Sequence, residues 1–200
     1  IRDVERSRGL GDVYKRQMLK FKDIIPPTLI TRSRNEIDIF MNNYNKSVIK
    51  PLYGNGGQGI FLLDKKDKNY NQIIEKFIDE EDVPFIVQKF LPEIKKGDKR
   101  IILINGEPIA ALKRIPKKNE FRSNIHVGGN TEAVRLSKND KKICSIIKDT
   151  LIREKLFFVG IDVIGNYLTE INVTSPTCIQ EIKKIHKIDV AKIIFDKLGE

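Results

Sequence analysis

The sequence predicts an α+β fold in which antiparallel sheets are flanked by helices. Hairpin patterns outnumber strand–helix–strand units, which favours antiparallel over parallel sheets. Two of the hairpins turn at Asn105-Gly106 and at Gly165-Asn166, dipeptides typical of tight β-turns. Amphipathic helices separate the strand pairs. A chain of 200 residues is long enough to form one large lobe or two small ones.

The elements follow in a regular order from about Phe21. Residues 1–17 lack helical and strand periodicity, so we expect a disordered leader that is foreign to the fold. Helices are predicted over residues 31–44, 71–80, 136–155, 177–184 and 188–198 because apolar residues recur on one face. Strands are predicted over residues 47–53, 60–64, 84–91, 99–106, 107–115, 157–165 and 167–173. The polar, glycine-bearing segment 117–130 predicts a long mobile loop.

Composition excludes several classes of protein. The chain is 40% hydrophobic and 32% charged, as expected of a globular domain. No signal peptide is visible, and no apolar segment approaches the roughly 20 residues that cross a bilayer. Cys144 and Cys178 share no metal-ligand spacing, so we expect reduced thiols in a cytoplasmic protein. The net charge of +10 leaves a basic nucleic-acid-binding domain as an alternative, although no aromatic-studded basic strand supports it.

A glycine-rich loop between two strands is the first candidate site. Its glycines can wrap backbone N–H groups around a phosphate, or simply form a flexible turn. Lys50 lies in the apolar strand just before the loop and needs an anionic partner, which a phosphate would supply. The loop is neither a P-loop nor a Rossmann turn, because no helix follows it. The glycines are Gly54, Gly56, Gly57 and Gly59.

Two further segments suggest nucleotide chemistry. Gln88, Lys89, Phe90 and Leu91 close a buried strand that could offer backbone groups to an adenine edge, or be an ordinary strand end. Downstream lies a basic group. Two of its arginines fall on paired strands and can share a face, which suits a transferring phosphoryl group but also a solvated basic surface. This group comprises Asp98, Arg100, Arg114 and Arg122.

The last hairpin carries oxygen-bearing side chains on an apolar background. Asp162 interrupts its first strand, and Glu170 and Asn172 lie on one face of the second. Carboxylate and amide oxygens are ligands for Mg²⁺, which usually shares its coordination with substrate phosphates. The alternative is that these polar groups bond only to backbone.

Four blocks make the chain resemble the ATP-grasp ligases, and within them the bacterial glutathione synthetases. The blocks are KPLYGNGGQGIF, VQKFLPEIKKGDKRIILINGEP, LKRIP…FRSNIHVGG and VGIDVIGNYLTEINVTSPTCIQEI. The resemblance implies two lobes, residues 18–92 and 93–200, that grip ATP between them. It implies an acyl-phosphate ligation of γ-glutamylcysteine to glycine with Mg²⁺, or alternatively Mn²⁺. Another carboxylate–amine ligase of the same fold remains the alternative.

The resemblance also implies roles for the residues quoted above. It assigns ATP binding to Lys50, Gly54, Gly56, Gly57, Gly59, Gln88, Lys89, Phe90, Leu91 and Asp98. It assigns catalysis to Arg100, Arg114 and Arg122, the metal to Asp162, Glu170 and Asn172, and substrate contacts to Asn124, Thr174 and Ser175. Family members carry an N-terminal domain and a second ATP lysine. Lys15 falls near that lysine's register but lies in the leader, so the role is not assigned to it.

The resemblance sets expectations for partners and activity as well. We expect no nucleic-acid or membrane partner, and a homo-oligomeric full-length enzyme. Since the blocks cover only the region from about residue 21 onward, we expect a fragment that binds Mg·ATP weakly and makes little glutathione alone.

Overall fold

The computed structural model describes residues 15, 17–53, 59–117, 120, 123 and 130–199. Its strands are β1 (Thr28–Thr31), β2 (Lys46–Lys50), β3 (Phe61–Asp64), β4 (Phe85–Lys89), β5 (Asp98–Ile104), β6 (Glu107–Ile115), β7 (Asn130–Ala133), β8 (Phe158–Ile164) and β9 (Tyr167–Asn172). Its helices are α1 (Arg34–Asn43), α2 (Tyr70–Glu80), α3 (Lys138–Arg153), α4 (Ile179–His186) and α5 (Val190–Leu198). Two antiparallel sheets flanked by helices confirm the predicted α+β class.

The first sheet has the strand order β1-β4-β2-β3, and every pairing is antiparallel. The β2–β3 pairing confirms the hairpin predicted around the glycine loop. The core of this lobe forms where α1 and α2 contribute Ile37, Met41 and Ile74 to the buried face of the sheet. Strand β1 was not predicted, because four residues next to a Pro-Pro pair are too short to show periodicity.

The second sheet has the order β7-β6-β5-β8-β9, also antiparallel throughout. Its central strand alternates between two cores. Ile101 and Leu103 pack with α3, whereas Ile102 and Ile104 pack with α4 and α5 on the opposite face. Because helices cover both faces, this strand is apolar on both sides from Ile101 onward.

The turns of the second sheet are those that the sequence predicts. Asn105 and Gly106 both have positive φ, 51° and 75°, as a type I′ turn requires. The N-cap of α3 is Ser137, which forms a capping box with Asp140 as the serine pattern suggested.

The segment Met18–Ile25 packs with the second sheet although β1 belongs to the first. Met18, Phe21, Ile24 and Ile25 join the core beneath α3, and the N–H of Leu168 donates to the Ile24 carbonyl at 2.8 Å. From Met18 onward the chain therefore packs first with the second sheet, forms the first sheet between β1 and β4, and returns. The predicted lobe limits, 18–92 and 93–200, place Met18–Ile25 in the first lobe, whereas the segment packs with the second sheet. In other respects these limits stay a prediction.

None of the helices in the described part of the chain combines the length and apolar character that a bilayer crossing demands.

Ser47 lies on β2 of the first sheet, and its buried hydroxyl leads to a prediction about stability. Its hydroxyl is fully buried and has no hydrogen-bond partner among the described residues. Since an unsatisfied buried hydroxyl costs free energy, we expect Ser47→Ala to raise the free energy of unfolding by about 1 kcal/mol. Urea denaturation followed by circular dichroism measures the change.

The matched control is Ser137→Ala, the same substitution at a hydroxyl that caps α3. Loss of an N-cap lowers the free energy of unfolding by about 1 kcal/mol, so the two variants are expected to move in opposite directions. A loss of stability in Ser47→Ala would show that its hydroxyl is satisfied in solution.

Candidate functional site

A cleft lies between the two sheets, where β2 and β4 face β9. We call it the interlobe cleft. It is lined by Lys15, Met18, Ile25, Thr28, Lys50, Ile86, Gln88, Thr169 and Glu170. The lining thus combines two lysines with one carboxylate on an apolar background, and both sheets contribute to it.

Lys50, the last residue of β2, reaches across the cleft. Its Nζ lies 3.5 Å from Gln88 Oε1 in its own sheet and 3.5 Å from the Thr169 carbonyl in the other sheet. Gln88 is oriented because its Nε2 donates to Thr28 Oγ1 at 2.8 Å. Both oxygens near Lys50 are neutral and the contacts are long. The predicted anionic partner is therefore missing from the contacts of Lys50 with described residues.

The electrostatic surroundings of Lys50 suit an anion. Burial lowers the pKa of Lys50, Glu170 opposes that shift, and the charge of Lys15 lowers the pKa further. Two lysines and a carboxylate therefore act on one another within the cleft. An anionic ligand between the lysines would relieve their repulsion and favour the ammonium form of Lys50.

The lowered pKa of Lys50 predicts a pH dependence. An anion binds the ammonium form, so affinity is expected to be constant from pH 7 up to the range in which Lys50 begins to lose its proton. It falls as the pH rises through the lowered pKa, below the usual 10.5. Titrating Mg·ADP binding from pH 7 to pH 10 measures this loss. Lys50→Arg is the matched variant, because a guanidinium stays charged and the decline is expected to disappear. The same decline in both proteins would assign it to another group.

Next to the cleft, four buried side chains form an arginine–aspartate cluster: Asp98, Arg100, Arg114 and Asp162. Arg100 donates to Asp162 from Nε at 2.5 Å and from Nη2 at 2.9 Å. Arg114 bridges the two acids: its Nε donates to Asp98 at 2.8 Å, and its Nη2 lies 2.9 Å from Asp162. The predicted shared face of Arg100 and Arg114 is thus confirmed.

The two acids of the cluster respond differently to burial. Burial alone would raise the pKa of Asp162, but two guanidiniums hold it well below its usual range. Burial raises the pKa of Asp98, and the opposing effects of Arg114 and of a hydrogen bond with Ser123 do not cancel the shift. Asp98 is thus committed to an ion pair with Arg114. A cation at Asp162 would have to compete with both arginines.

Gly160 makes room for this cluster. A Cβ atom there would lie 2.7 Å from Pro176 Cβ and 3.3 Å from Arg100 Cδ. Strand β8 can therefore carry only glycine beneath the Arg100 side chain. Thr177, which follows Pro176, places its Oγ1 3.4 Å from Arg100 Nη1.

Glu170 and Asn172 extend the row of polar groups along β9. In the β8–β9 pairing, Asp162 lies opposite Glu170, and Gly160 lies opposite Asn172. The Glu170 carboxylate has no hydrogen bond or ion pair with a described residue, and the Asn172 Nδ2 atom is buried without a partner. A carboxylate that makes no direct ion pair with a described residue, beside an amide whose oxygen can coordinate a cation, fits a Mg²⁺ ion whose remaining ligands are phosphates and water. Among the described residues, no group of three or more His, Cys, Asp or Glu side chains is placed so that these side chains alone could hold a metal ion.

Most of the remaining predicted residues divide into three groups; of the others, Gly59 is exposed, Phe90 is half-buried and Leu91 is buried. Gln88 lines the cleft, whereas Lys89 is exposed and lies over the Tyr44 ring at 5.5 Å. Thr174 and Ser175 are exposed just after β9. The last group, outside the described residues, contains Gly54, Gly56, Gly57, Arg122 and Asn124.

Sequence reasoning missed three polar residues of the cleft: Lys15, Thr28 and Thr169. Lys15 was set aside with the leader, although Met18 and Phe21 follow it at helical spacing and both are buried. That spacing was the available signal. Thr28 and Thr169 are threonines in strands, and nothing in their local sequence distinguishes them.

Comparison with known proteins shows which family this chain belongs to. Residues 14–187, a range that includes Lys15, match the family model of the prokaryotic glutathione synthetase ATP-grasp domain. The glutathione synthetase of Agrobacterium fabrum is 45% identical over 179 residues, which is 90% of this chain and 56% of that protein. The glutathione synthetase of Synechococcus elongatus is 46% identical over 190 residues, 94% of this chain and 59% of that protein. The chain therefore spans little more than half the length of these relatives.

Solved structures share the fold at low sequence identity. The ATP-grasp ligase PsnB, complexed with a phosphomimetic variant of its minimal precursor, Mg and ADP, superposes with a TM-score of 0.69 at 19% identity. That match covers 96% of this chain and 59% of PsnB. The D-alanine–D-alanine ligase of Bacillus anthracis complexed with ATP gives a TM-score of 0.65 at 14% identity, covering 91% and 63%. These similarities confirm the predicted ATP-grasp fold.

Proposed function

Because this chain belongs to the prokaryotic glutathione synthetase family through its ATP-grasp domain, we propose that it binds Mg·ATP in the interlobe cleft and ligates γ-glutamylcysteine to glycine. The products would be glutathione, ADP and phosphate. The observation that carries the proposal is the cleft itself, in which Lys15 and Lys50 face Glu170 between the two sheets.

In this proposal the two lysines hold the ATP phosphates. Lys50 has only long contacts to neutral oxygens, so a phosphate oxygen can replace them without breaking an ion pair. Lys15 lines the same cleft, and its charge acts on Lys50. The glycine loop after Lys50 would cover the phosphates with backbone N–H groups, as the sequence predicts.

Adenine would lie beside Ile86 and Leu91, at the end of β4. Several backbone groups there are already used: the N–H of Lys89 donates to Pro27, and the N–H of Phe90 donates to Lys46. The carbonyl of Leu91 accepts from Ile94. Recognition of the base therefore depends on the remaining backbone groups of this segment and on apolar contact with the ring faces.

Glu170 and Asn172 would hold Mg²⁺, which neutralises phosphate charge when it is bound. The arginine–aspartate cluster adjoins Glu170 through Asp162, which lies opposite it on β8. Arg100 and Arg114 would stabilise the γ-phosphoryl group as it passes to the cysteinyl carboxylate and forms an acyl phosphate. The glycine amine then attacks the acyl carbon, and phosphate leaves. Asp98 and Asp162 hold the two guanidiniums in place for this step.

The experiment traps the acyl phosphate. We would incubate the chain with Mg·ATP, γ-glutamylcysteine and hydroxylamine, and measure ADP and the hydroxamate. The expected result is a low yield of hydroxamate that depends on γ-glutamylcysteine, and little glutathione when glycine replaces hydroxylamine, because the sequence predicts a weakly active fragment. The matched control is Lys50→Met, for which we expect neither product.

A panel of other acids and amines separates the alternatives. Product from a different acid–amine pair, and none from γ-glutamylcysteine, would indicate another carboxylate–amine ligase. Absence of Mg·ATP binding and of every product would contradict the proposal. Use of Mn²⁺, a cytoplasmic location, homo-oligomerisation of the full-length protein and the absence of nucleic-acid or membrane partners stay predictions.

A further inference from the structure

Strand β9 contains a β-bulge at Thr169. In the pairing with β8, Asp162 lies opposite Glu170 whereas Val163 lies opposite Leu168, so Thr169 is an extra residue. Bulges of this kind shift the side-chain alternation of a strand and often occur beside active sites.

The bulge decides which face Glu170 occupies. Leu168 points into the core beneath α3, and regular alternation would send Glu170 and Asn172 into the same core. With Thr169 inserted, Ile171 joins that core instead. Glu170 and Asn172 then lie on the opposite face, which carries Asp162. The extra residue therefore determines that Glu170 and Asn172 face the cleft; without it, both side chains would point into the core.

The Thr169 side chain makes a hydrogen bond across the bulge. Its Oγ1 donates to the Asp162 carbonyl at 3.1 Å, and the residue is 7% exposed. The bulge also presents the Thr169 carbonyl to Lys50 Nζ at 3.5 Å. One residue therefore contacts the cluster strand on one side and the phosphate lysine on the other.

We propose that Thr169 is a positioning residue: its hydroxyl fixes the bulge that turns Glu170 and Asn172 toward Mg²⁺ and the Thr169 carbonyl toward Lys50. This inference rests on the proposed function, since it concerns how the same site is assembled. The residue acts through its neighbours and needs no contact with the nucleotide.

The test compares Thr169→Val, which has the same shape without the hydroxyl, with Thr169→Ser, which keeps the hydroxyl. Isothermal titration of ADP with and without Mg²⁺ gives the factor by which Mg²⁺ strengthens binding. We expect this factor to fall about tenfold in Thr169→Val and to stay within about twofold of the unmodified chain in Thr169→Ser, because only the valine variant loses the hydroxyl that keeps Glu170 turned toward Mg²⁺. A general loss of stability would weaken both titrations together and leave the factor unchanged.

A second readout addresses the register directly. Cross-strand nuclear Overhauser effects between Asp162 and Glu170 are expected in the unmodified chain and in Thr169→Ser, and are expected to be lost in Thr169→Val. Thr169→Ala repeats the loss of the hydroxyl if the valine variant does not fold. An unchanged Mg²⁺ factor and register in the hydroxyl-free variants would overturn the inference. If the unmodified chain shows no Mg²⁺-dependent ADP binding, the proposed function fails instead, and the register comparison alone decides the role of the hydroxyl in the bulge.

Discussion

Asp162→Asn is expected to lower the free energy of unfolding by about 3 kcal/mol, the largest stability change of any substitution considered. Asp162 receives hydrogen bonds or ion pairs from both Arg100 and Arg114, and all three side chains are almost fully buried. Neutralising the acid leaves buried positive charge without a full partner, and breaking such a pair typically costs 3 to 5 kcal/mol. Guanidinium chloride denaturation measures the change.

The matched control is Asp189→Asn. Asp189 pairs with Lys183 at 2.6 Å on the surface and caps α5, and asparagine is an equally good cap. We expect no resolvable loss of stability, because surface ion pairs contribute little. Equal losses in the two variants would show that the arginine–aspartate cluster has no special energetic role.

Lys50→Met is expected to weaken Mg·ADP binding about 10- to 100-fold. Methionine keeps most of the apolar stem and removes the ammonium, so the loss reports the contact with phosphate. A hydrogen bond to a charged group contributes roughly 1.5 to 3 kcal/mol, which corresponds to that range of affinity. Isothermal titration of the unmodified chain and the variant gives the ratio.

Lys46→Met provides the control on the same strand. Lys46 is exposed and pairs with Asp64, away from the cleft. We expect its affinity for Mg·ADP to stay within about twofold of the unmodified chain, since an exposed lysine outside the site adds only screened attraction. A comparable loss in both variants would indicate a general effect of positive charge rather than a phosphate site.

Much of the fold could be predicted because the pattern is local. The Asn105-Gly106 turn, the Ser137 cap and the alternation of β8 each depend on a few neighbouring residues. Strand β1 and the packing of Met18–Ile25 against the second sheet depend on contacts distant in sequence. Short segments do not reveal such contacts.

In the candidate site, too, some features could be predicted from the sequence and others could not. Lys50, Arg100 and Arg114 were identifiable because charged residues within apolar strands require partners. The ion pairs that Asp98 and Asp162 make with the arginines were not, because their carboxylates could equally serve a ligand. The bulge at Thr169 was visible in retrospect: Leu168 and Ile171 are three apart, and both cannot face one core in a regular strand.

The most direct test of the account is a crystal structure of this chain with Mg²⁺ and a non-hydrolysable ATP analogue. The account predicts one nucleotide whose phosphates lie about 3 Å from the Nζ atoms of Lys15 and Lys50, with Mg²⁺ between them and the oxygens of Glu170 and Asn172. A nucleotide bound elsewhere, or one that touches Lys50 while Glu170 and Asn172 face the core, would contradict it.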